Sequence, residues 1–156
     1  MKIFLIRHGE SKPIEFPGKD VDRSLTSLGI SEIEQLSSEL SGILTQQPLI
    51  VCSHAVRAVK TAEILSSKWN CVPFSDHELY YGGIENYERI IKNNQDKMNL
   101  ILVGHNPDIS LFASTICRRE LRFLPGSCAV ILRTIDGEIT KNELVEFKHP
   151  ERKHPN

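Results

Sequence analysis

The sequence predicts an α/β fold, three layers (α/β/α) built on a mainly parallel central sheet. Two observations carry this. Short apolar runs alternate with helix-like stretches along the chain, the order expected of βαβ units. Three of those runs, Ile3-Phe4-Leu5-Ile6, Leu49-Ile50-Val51-Cys52 and Leu100-Ile101-Leu102-Val103, read as strands buried within such a sheet.

Taken in order, residues 2–7 form the first strand. Residues 10–26 are a polar loop carrying Pro13, Pro17 and Gly18. A helix starts near Thr26, a residue type that caps helices well. Its apolar face is Ile33, Leu36, Leu40 and Ile43, spaced as one helical stripe. Pro48 introduces the strand at 49–52, and residues 54–68 read as a helix with Ala58, Ala62 and Leu65 on one face. Residues 71–83 read as irregular, with Pro73 and a Gly82-Gly83 turn. A helix spans roughly 84–95, and residues 100–103 are the next strand. Pro107 stands where a first-turn proline is welcome, and a helix follows over 108–117. Residues 127–133 and 138–147 are two closing strands joined by Asp136-Gly137, a hairpin signal. There is no internal repeat. The expected organisation is one domain over 1–147 and a polar, frayed tail over 148–156.

Composition bounds the function. The chain has 156 residues, enough to bury a core without staples, and is 40% apolar and 25% charged. Its formal net charge is −1. No global field draws it to nucleic acid or to an anionic membrane, so any basic site is local. Cys52, Cys71, Cys117 and Cys128 show no CxxC and no zinc spacing, and read as reduced thiols. No signal-peptide core and no run long enough to span a membrane is visible, so the expected localisation is cytoplasmic.

Each of the three strands ends in a cluster suited to an anion. The first ends in Arg7-His8-Gly9-Glu10, the second in Ser53-His54-Ala55-Val56-Arg57, the third in Gly104-His105-Asn106-Pro107. Ligands of open α/β sheets lie outside the carboxyl ends of the strands, where helix N-termini offer free N–H groups. Gly9 lets the backbone turn tightly and approach a ligand. Taken singly, His105 is a structural histidine, Arg57 a solvated helix residue, and Arg7 a partner for Asp20 or Asp22. Taken together, two arginines and two or three histidines converging on one crevice make a dianion site.

These motifs, in this order, resemble the histidine phosphatase superfamily with its phosphoglycerate mutase-like fold, and more narrowly the short phosphohistidine phosphatases of the SixA type. Arg7-His8-Gly9-Glu10 is similar to the family signature. Asp22-Arg23-Ser24-Leu25-Thr26-Ser27-Leu28-Gly29 resembles its R-x-L-T-x-x-G, and Ser53 to Thr61 its S-P-x-x-R-A-x-Q-T. Gly104-His105-Asn106-Pro107 resembles its second-histidine motif. The resemblance covers about residues 1–133. Two departures stand out: His54 replaces the usual proline and Lys60 the usual glutamine. His54 either joins the pocket or caps the helix.

The resemblance implies a phosphatase in which His8 is the nucleophile and passes through a phosphohistidine intermediate. Arg7, Gly9, Arg57 and His105 would bind the phosphate, with Arg7, Arg57 and His105 also assisting the chemistry. No metal or other cofactor is implied, because the arginines supply the positive charge. An ester substrate would also need a proton donor, for which Asp76 and Glu78 are the candidates, read otherwise as surface acids, while Tyr80 and Tyr81 read as packing residues or as the rim of the site. The implied partner is a phosphorylated protein bearing phosphohistidine, or a small phosphate ester.

Other readings are weighed against this. A mutase or small-ester phosphatase on the same fold is usually longer, and this chain has little room for a lid between Lys68 and Asn99. A cysteine-dependent phosphatase needs five residues between Cys and Arg, whereas Cys52 and Arg57 enclose four. A zinc site of His8, His54 and His105 matches no zinc spacing, and two arginines would repel the ion. A phosphoprotein-binding module without turnover would be expected to lack the nucleophile, and His8 is present. Oligomeric state leaves no mark in the sequence.

Overall fold

Lys2–Arg7 forms β1, whose residues are all but closed to solvent from Ile3 to Ile6. A computed structural model describes residues 1–152 of the chain. After β1 come a 3-10 turn at Asp20–Asp22, α1 (Ser27–Ile43), β2 (Leu49–Ser53) and α2 (Val56–Ser66). Then come β3 (Phe74–Asp76), the single turn α3 (Glu78–Tyr81), α4 (Ile84–Asn93) and β4 (Asn99–Gly104). α5 (Asp108–Cys117), β5 (Cys128–Asp136) and β6 (Ile139–Lys148) complete the fold. The strands form one sheet in the order β3-β2-β4-β1-β5-β6.

Because successive strand residues point to opposite faces, each central strand feeds two cores. Ile3, Leu5, Leu100 and Leu102 pack with Tyr87, Ile90 and Ile91 of α4 and Ile109 and Phe112 of α5. Phe4, Ile6, Ile101 and Val103 pack with Ile33 and Leu40 of α1 and Ala58, Ala62 and Leu65 of α2. This is the expected α/β/α sandwich, and each fully buried aliphatic side chain stabilises it by about 1.5–3 kcal/mol.

The sheet is less uniformly parallel than its central strands. β1, β2, β3 and β4 pair in parallel, whereas β5 runs antiparallel to β1 and β6 antiparallel to β5. The reason lies in the segment before β5. The Gly126 N–H bonds to the carbonyls of Arg7 and His8, so β5 starts at the carboxyl end of β1 and must run back. A two-residue hairpin then fixes β6 as antiparallel. The hairpin's central pair is Gly137-Glu138, one residue later than Asp136-Gly137, because Asp136 still pairs with Ile139. Gly137 takes the positive φ (+60°) that such a turn requires.

The segment read as irregular at 71–83 contains β3 and α3. β3 is three residues long, too short to show an alternating pattern, and is held by its pairing with β2. α2 is shorter than the 54–68 read from sequence, starting after Ala55 and ending at Ser66. α1 starts as expected: Thr26 Oγ1 accepts the Gly29 N–H at 3.0 Å, a cap contributing about 1 kcal/mol. The chain leaving β1 lies directly on this first turn. A Cβ on Gly29 would fall 2.2 Å from the Glu10 carbonyl, and one on Gly9 would come within 3.0 Å of the Gly29 carbonyl and of Ile33.

All four cysteines are free. Among the described residues no helix is long and apolar enough to cross a membrane. Of the tail read as frayed, residues 153–156 lie outside the described residues. Nearer the domain, Lys148 Nζ pairs with Glu39 at 2.9 Å and Arg152 Nε with Glu32 at 3.4 Å, laying this segment against α1.

Candidate active site

Strand register decides which side chains meet. Arg7 is level with Gly104 in the β1–β4 pair, and Cys52 with Val103 in the β2–β4 pair. The residues just beyond, His8 and His105, therefore share one row at the carboxyl edge of the sheet, and Ser53, the last residue of β2, stands one position before them, level with Gly104. The His8 and His105 ring centres are 5.0 Å apart, and both residues are buried.

The hydrogen bonds of His8 fix its tautomer. Nδ1 lies 2.8 Å from the Gly9 carbonyl, which can only accept, so Nδ1 carries the proton. Nε2 lies 3.2 Å from Arg57 Nε, which can only donate, so Nε2 presents a lone pair. Burial, with Arg57 and Arg7 nearby, pushes the His8 pKa down to about 4. At neutral pH His8 is an uncharged imidazole with an aimed lone pair.

His105 is fixed from the other side. Its Nδ1 faces Arg57 Nη2 at 3.4 Å, so Nε2 donates to Ser53 Oγ at 2.7 Å. Burial first, then the neighbouring His8 and Arg57, lower its pKa to about 3. Tyr87 lies beneath this turn: a Cβ on Gly104 would strike its hydroxyl at 1.8 Å. Burial raises the Tyr87 pKa, so this hydroxyl stays protonated.

Arg57 reaches the row from the first turn of α2. Besides His8, it donates from Nη1 to the Asp20 carbonyl at 2.7 Å and from Nη2 to Asp20 Oδ2 at 3.0 Å. Arg7 pairs with neither Asp20 nor Asp22. Its Nη1 donates to the Phe123 carbonyl at 2.9 Å, and its buried Nε has no hydrogen-bond partner among the described residues. Burial, and Arg57 beside it, lower its pKa from the usual arginine value.

Gly9 does not offer its N–H outward: the N–H bonds to Thr61 Oγ1 at 3.1 Å, and Thr61 donates to the Arg57 carbonyl at 2.7 Å. Thr61 thus ties the Arg-His-Gly turn to α2, one helical turn beyond Arg57. Its only signal in the sequence is its place at the end of the second motif.

The acids weighed as proton donors lie to one side. Asp76 accepts from the Glu78 N–H at 2.8 Å and from Arg89 Nη2 at 3.0 Å, while Glu78 pairs with Arg89 at 2.8 Å. Neither makes a hydrogen bond or ion pair with Arg7, His8, Arg57 or His105 among the described residues. Asp20, weighed only as a partner for Arg7, is the carboxylate at the site. It also accepts from Arg23 Nη1 at 3.0 Å and from the Tyr80 hydroxyl. Tyr80 closes the rim, its ring 5.3 Å from that of His105 and 4.0 Å from that of Tyr81.

His54 neither caps α2, whose N-cap is Ala55, nor bonds to the row. It stacks on His77 with centres 4.2 Å apart and meets the edge of Tyr80 at 5.1 Å. Lys60 pairs with Glu63 on the surface of α2. Burial holds the Cys52 pKa up at about 11, so this residue next to the row is a thiol at neutral pH. Among the described residues no three His, Cys, Asp or Glu side chains gather to hold a metal ion.

A family model described as the histidine phosphatase superfamily (branch 1) matches residues 3–97, a span that includes Arg7, His8 and Arg57. No curated protein matches the sequence. Solved structures do match by fold. A structure assigned as the phosphohistidine phosphatase SixA from Agrobacterium tumefaciens superposes with a TM-score of 0.82 at 22% identity, covering 96% of this chain and 98% of that one. The protein histidine phosphatase SixA complexed with tungstate gives 0.81 at 19% identity, over 94% and 96%. The alpha-ribazole phosphatase from Shigella flexneri gives 0.73 at 18% identity, over 92% and 95%. At these identities the likeness is one of fold.

Proposed function

The chain belongs to the histidine phosphatase superfamily (branch 1), and from that premise we propose that it is a phosphatase in which His8 Nε2 takes the phosphoryl group. The observation that carries this reading is the forced tautomer of His8, with Nδ1–H on the Gly9 carbonyl and a lone pair at Nε2. A nucleophile must arrive unprotonated, and a depressed pKa keeps it so at neutral pH.

Two half-reactions follow. Nε2 attacks phosphorus, the bond to the leaving atom breaks, and phosphohistidine forms on the enzyme. Water then attacks phosphorus, loses a proton and releases inorganic phosphate, returning Nε2 as a lone pair. Arg7 and Arg57 grip the non-bridging oxygens, a task suited to planar donor forks. Arg57 first leaves the Nε2 lone pair, exchanging that bond for one to phosphate. His105 is neutral at rest, and an incoming dianion opposite it raises its proton affinity. We therefore place a proton on His105 as phosphate binds, making it a donor to a phosphate oxygen. Gly9 serves through its carbonyl, as the acceptor that orients His8. The arginines supply the charge that a metal would otherwise bring.

The substrate we propose is phosphohistidine on a protein, the SixA-type activity. Asp76 and Glu78 are both engaged by Arg89, and the carboxylate at the site, Asp20, is held ionised by its partners. An alkoxide leaving group needs a proton from such an acid, whereas a protonated imidazole already carries one. The likeness in fold to SixA proteins points the same way.

Purified protein with excess chelator should hydrolyse an aryl phosphate and dephosphorylate a phosphohistidine protein, preferring the latter. Rapid quench should trap acid-labile phosphate on the chain, and His8→Ala should abolish both turnover and trapping. Full turnover by His8→Ala would end the mechanism. A preference for small esters would end the proposed substrate and favour the small-ester reading.

A further inference from the structure

Every edge of the Arg57 guanidinium is engaged by the protein itself. Nε faces His8, while Nη1 and Nη2 bond to the carbonyl and carboxylate of Asp20 at 2.7 and 3.0 Å. The group assigned to grip phosphate is therefore gripping a carboxylate. That is the side chain most like a phosphate edge, with anionic oxygens matched to the guanidinium fork.

Asp20 does not depend on Arg57 for its place. Oδ1 accepts from Arg23 Nη1, and Oδ2 also accepts from the Tyr80 hydroxyl. Arg23 is itself tied to the Lys12 carbonyl at 2.6 Å and to Ser11 Oγ at 2.9 Å. If Arg57 turns to another anion, the carboxylate keeps two donors. The Tyr80 hydrogen bond first, then those from Arg23 and Arg57, hold the Asp20 carboxyl well below the usual range. Its side chain is 39% exposed, so an incoming anion can reach the pair.

We infer that Asp20 is the resident anion of the phosphate clamp: it competes with phosphate for Arg57 and so limits how tightly substrate and product are held. The inference rests on reading the site as one that binds phosphate. Charge supports it. Before His105 takes up its proton, Arg7, Arg23 and Arg57 against Asp20 leave two positive charges facing a phosphate dianion, whereas without the carboxylate there would be three. A phosphatase must release inorganic phosphate after each cycle, and a third uncompensated cation would hold it back.

Asp20→Asn keeps the shape and removes the charge. Binding of inorganic phosphate at pH 8, read by calorimetry, should tighten about fivefold, the scale of one partly exposed ion pair. The inhibition constant of phosphate against aryl phosphate turnover should fall in parallel. Asp20→Ala, which also removes the hydrogen-bonding groups, should move in the same direction. Unchanged or weaker phosphate binding in both variants would overturn the inference, the weaker result making Asp20 a residue that aims Arg57. Calorimetry needs no turnover. A chain that binds phosphate as described but hydrolyses no phosphate compound would lose the phosphatase reading and keep this one.

Discussion

His8, Ser53 and His105 stand at the carboxyl ends of three parallel strands whose register brings them together, whereas Asp20 and Tyr80 stand on a 3-10 turn and a single-turn helix. The first wall is buried and set by the sheet. The second is half exposed and set by its own hydrogen bonds, chiefly those of Arg23. Segments this long with so little regular structure are uncommon in a small domain and tend to carry function. Under the proposed function, the difference teaches that one wall holds the reacting atoms still and the other adjusts charge. Substitutions on the first should therefore cost far more activity than substitutions on the second.

The sharpest break would come at His8. His8→Ala should lower turnover by more than about 10³-fold while leaving the circular dichroism spectrum intact, since among the described residues its ring bonds only to Gly9 and Arg57. Next comes Arg57→Ala, with an expected loss of about 10²–10³-fold, the scale of one lost charge-stabilising donor group. Arg57→Lys should recover little, because one ammonium cannot serve directions now taken by Nε, Nη1 and Nη2. If lysine restored most of the activity, the clamp would be a point charge and the fork argument would fail.

The acid limb of activity sharpens the same wall. His8 must be neutral, and its pKa of about 4 lies below the ordinary 6.5. Activity should persist into mildly acid solution and fall as pH drops through about 4. Stability follows the same groups. Between the unfolded value near 6.5 and the folded value, the unfolded chain binds more protons at His8 and His105 than the native one. Stability should therefore decline progressively as pH falls below about 6.5. A melting temperature that rose between pH 6.5 and 5 would contradict the buried neutral histidines.

The two walls also differ in how far the sequence exposes them. The three buried strands announce themselves as apolar runs, and their ends place Arg7, His8, Arg57 and His105 within reach of one another before any coordinates are known. The start of α1 is equally legible in Thr26 and the stripe from Ile33 to Leu40. Asp20 is not legible: Lys19-Asp20-Val21-Asp22-Arg23 has no period, and three-dimensional contact alone tells which acid meets which arginine. β3 and α3 fail for the same reason, since three or four residues cannot display a period. β5 and the edge strand β6 are legible as a hairpin, but their direction depends on where residues 118–127 carry the chain.

The smallest effects belong to the carboxylates farthest from the row. With Asp76 and Glu78 both paired to Arg89, Asp76→Asn and Glu78→Gln should change phosphohistidine turnover by no more than about threefold, the ordinary cost of a surface ion pair. The proton donor question turns on this pair. If Glu78→Gln instead cost tenfold or more on an alkyl phosphate while sparing an aryl phosphate, Glu78 would be the acid serving a poor leaving group. Its pairing with Arg89 would then have to open during the reaction, and the adjustable wall would take part in bond breaking as well as in setting charge.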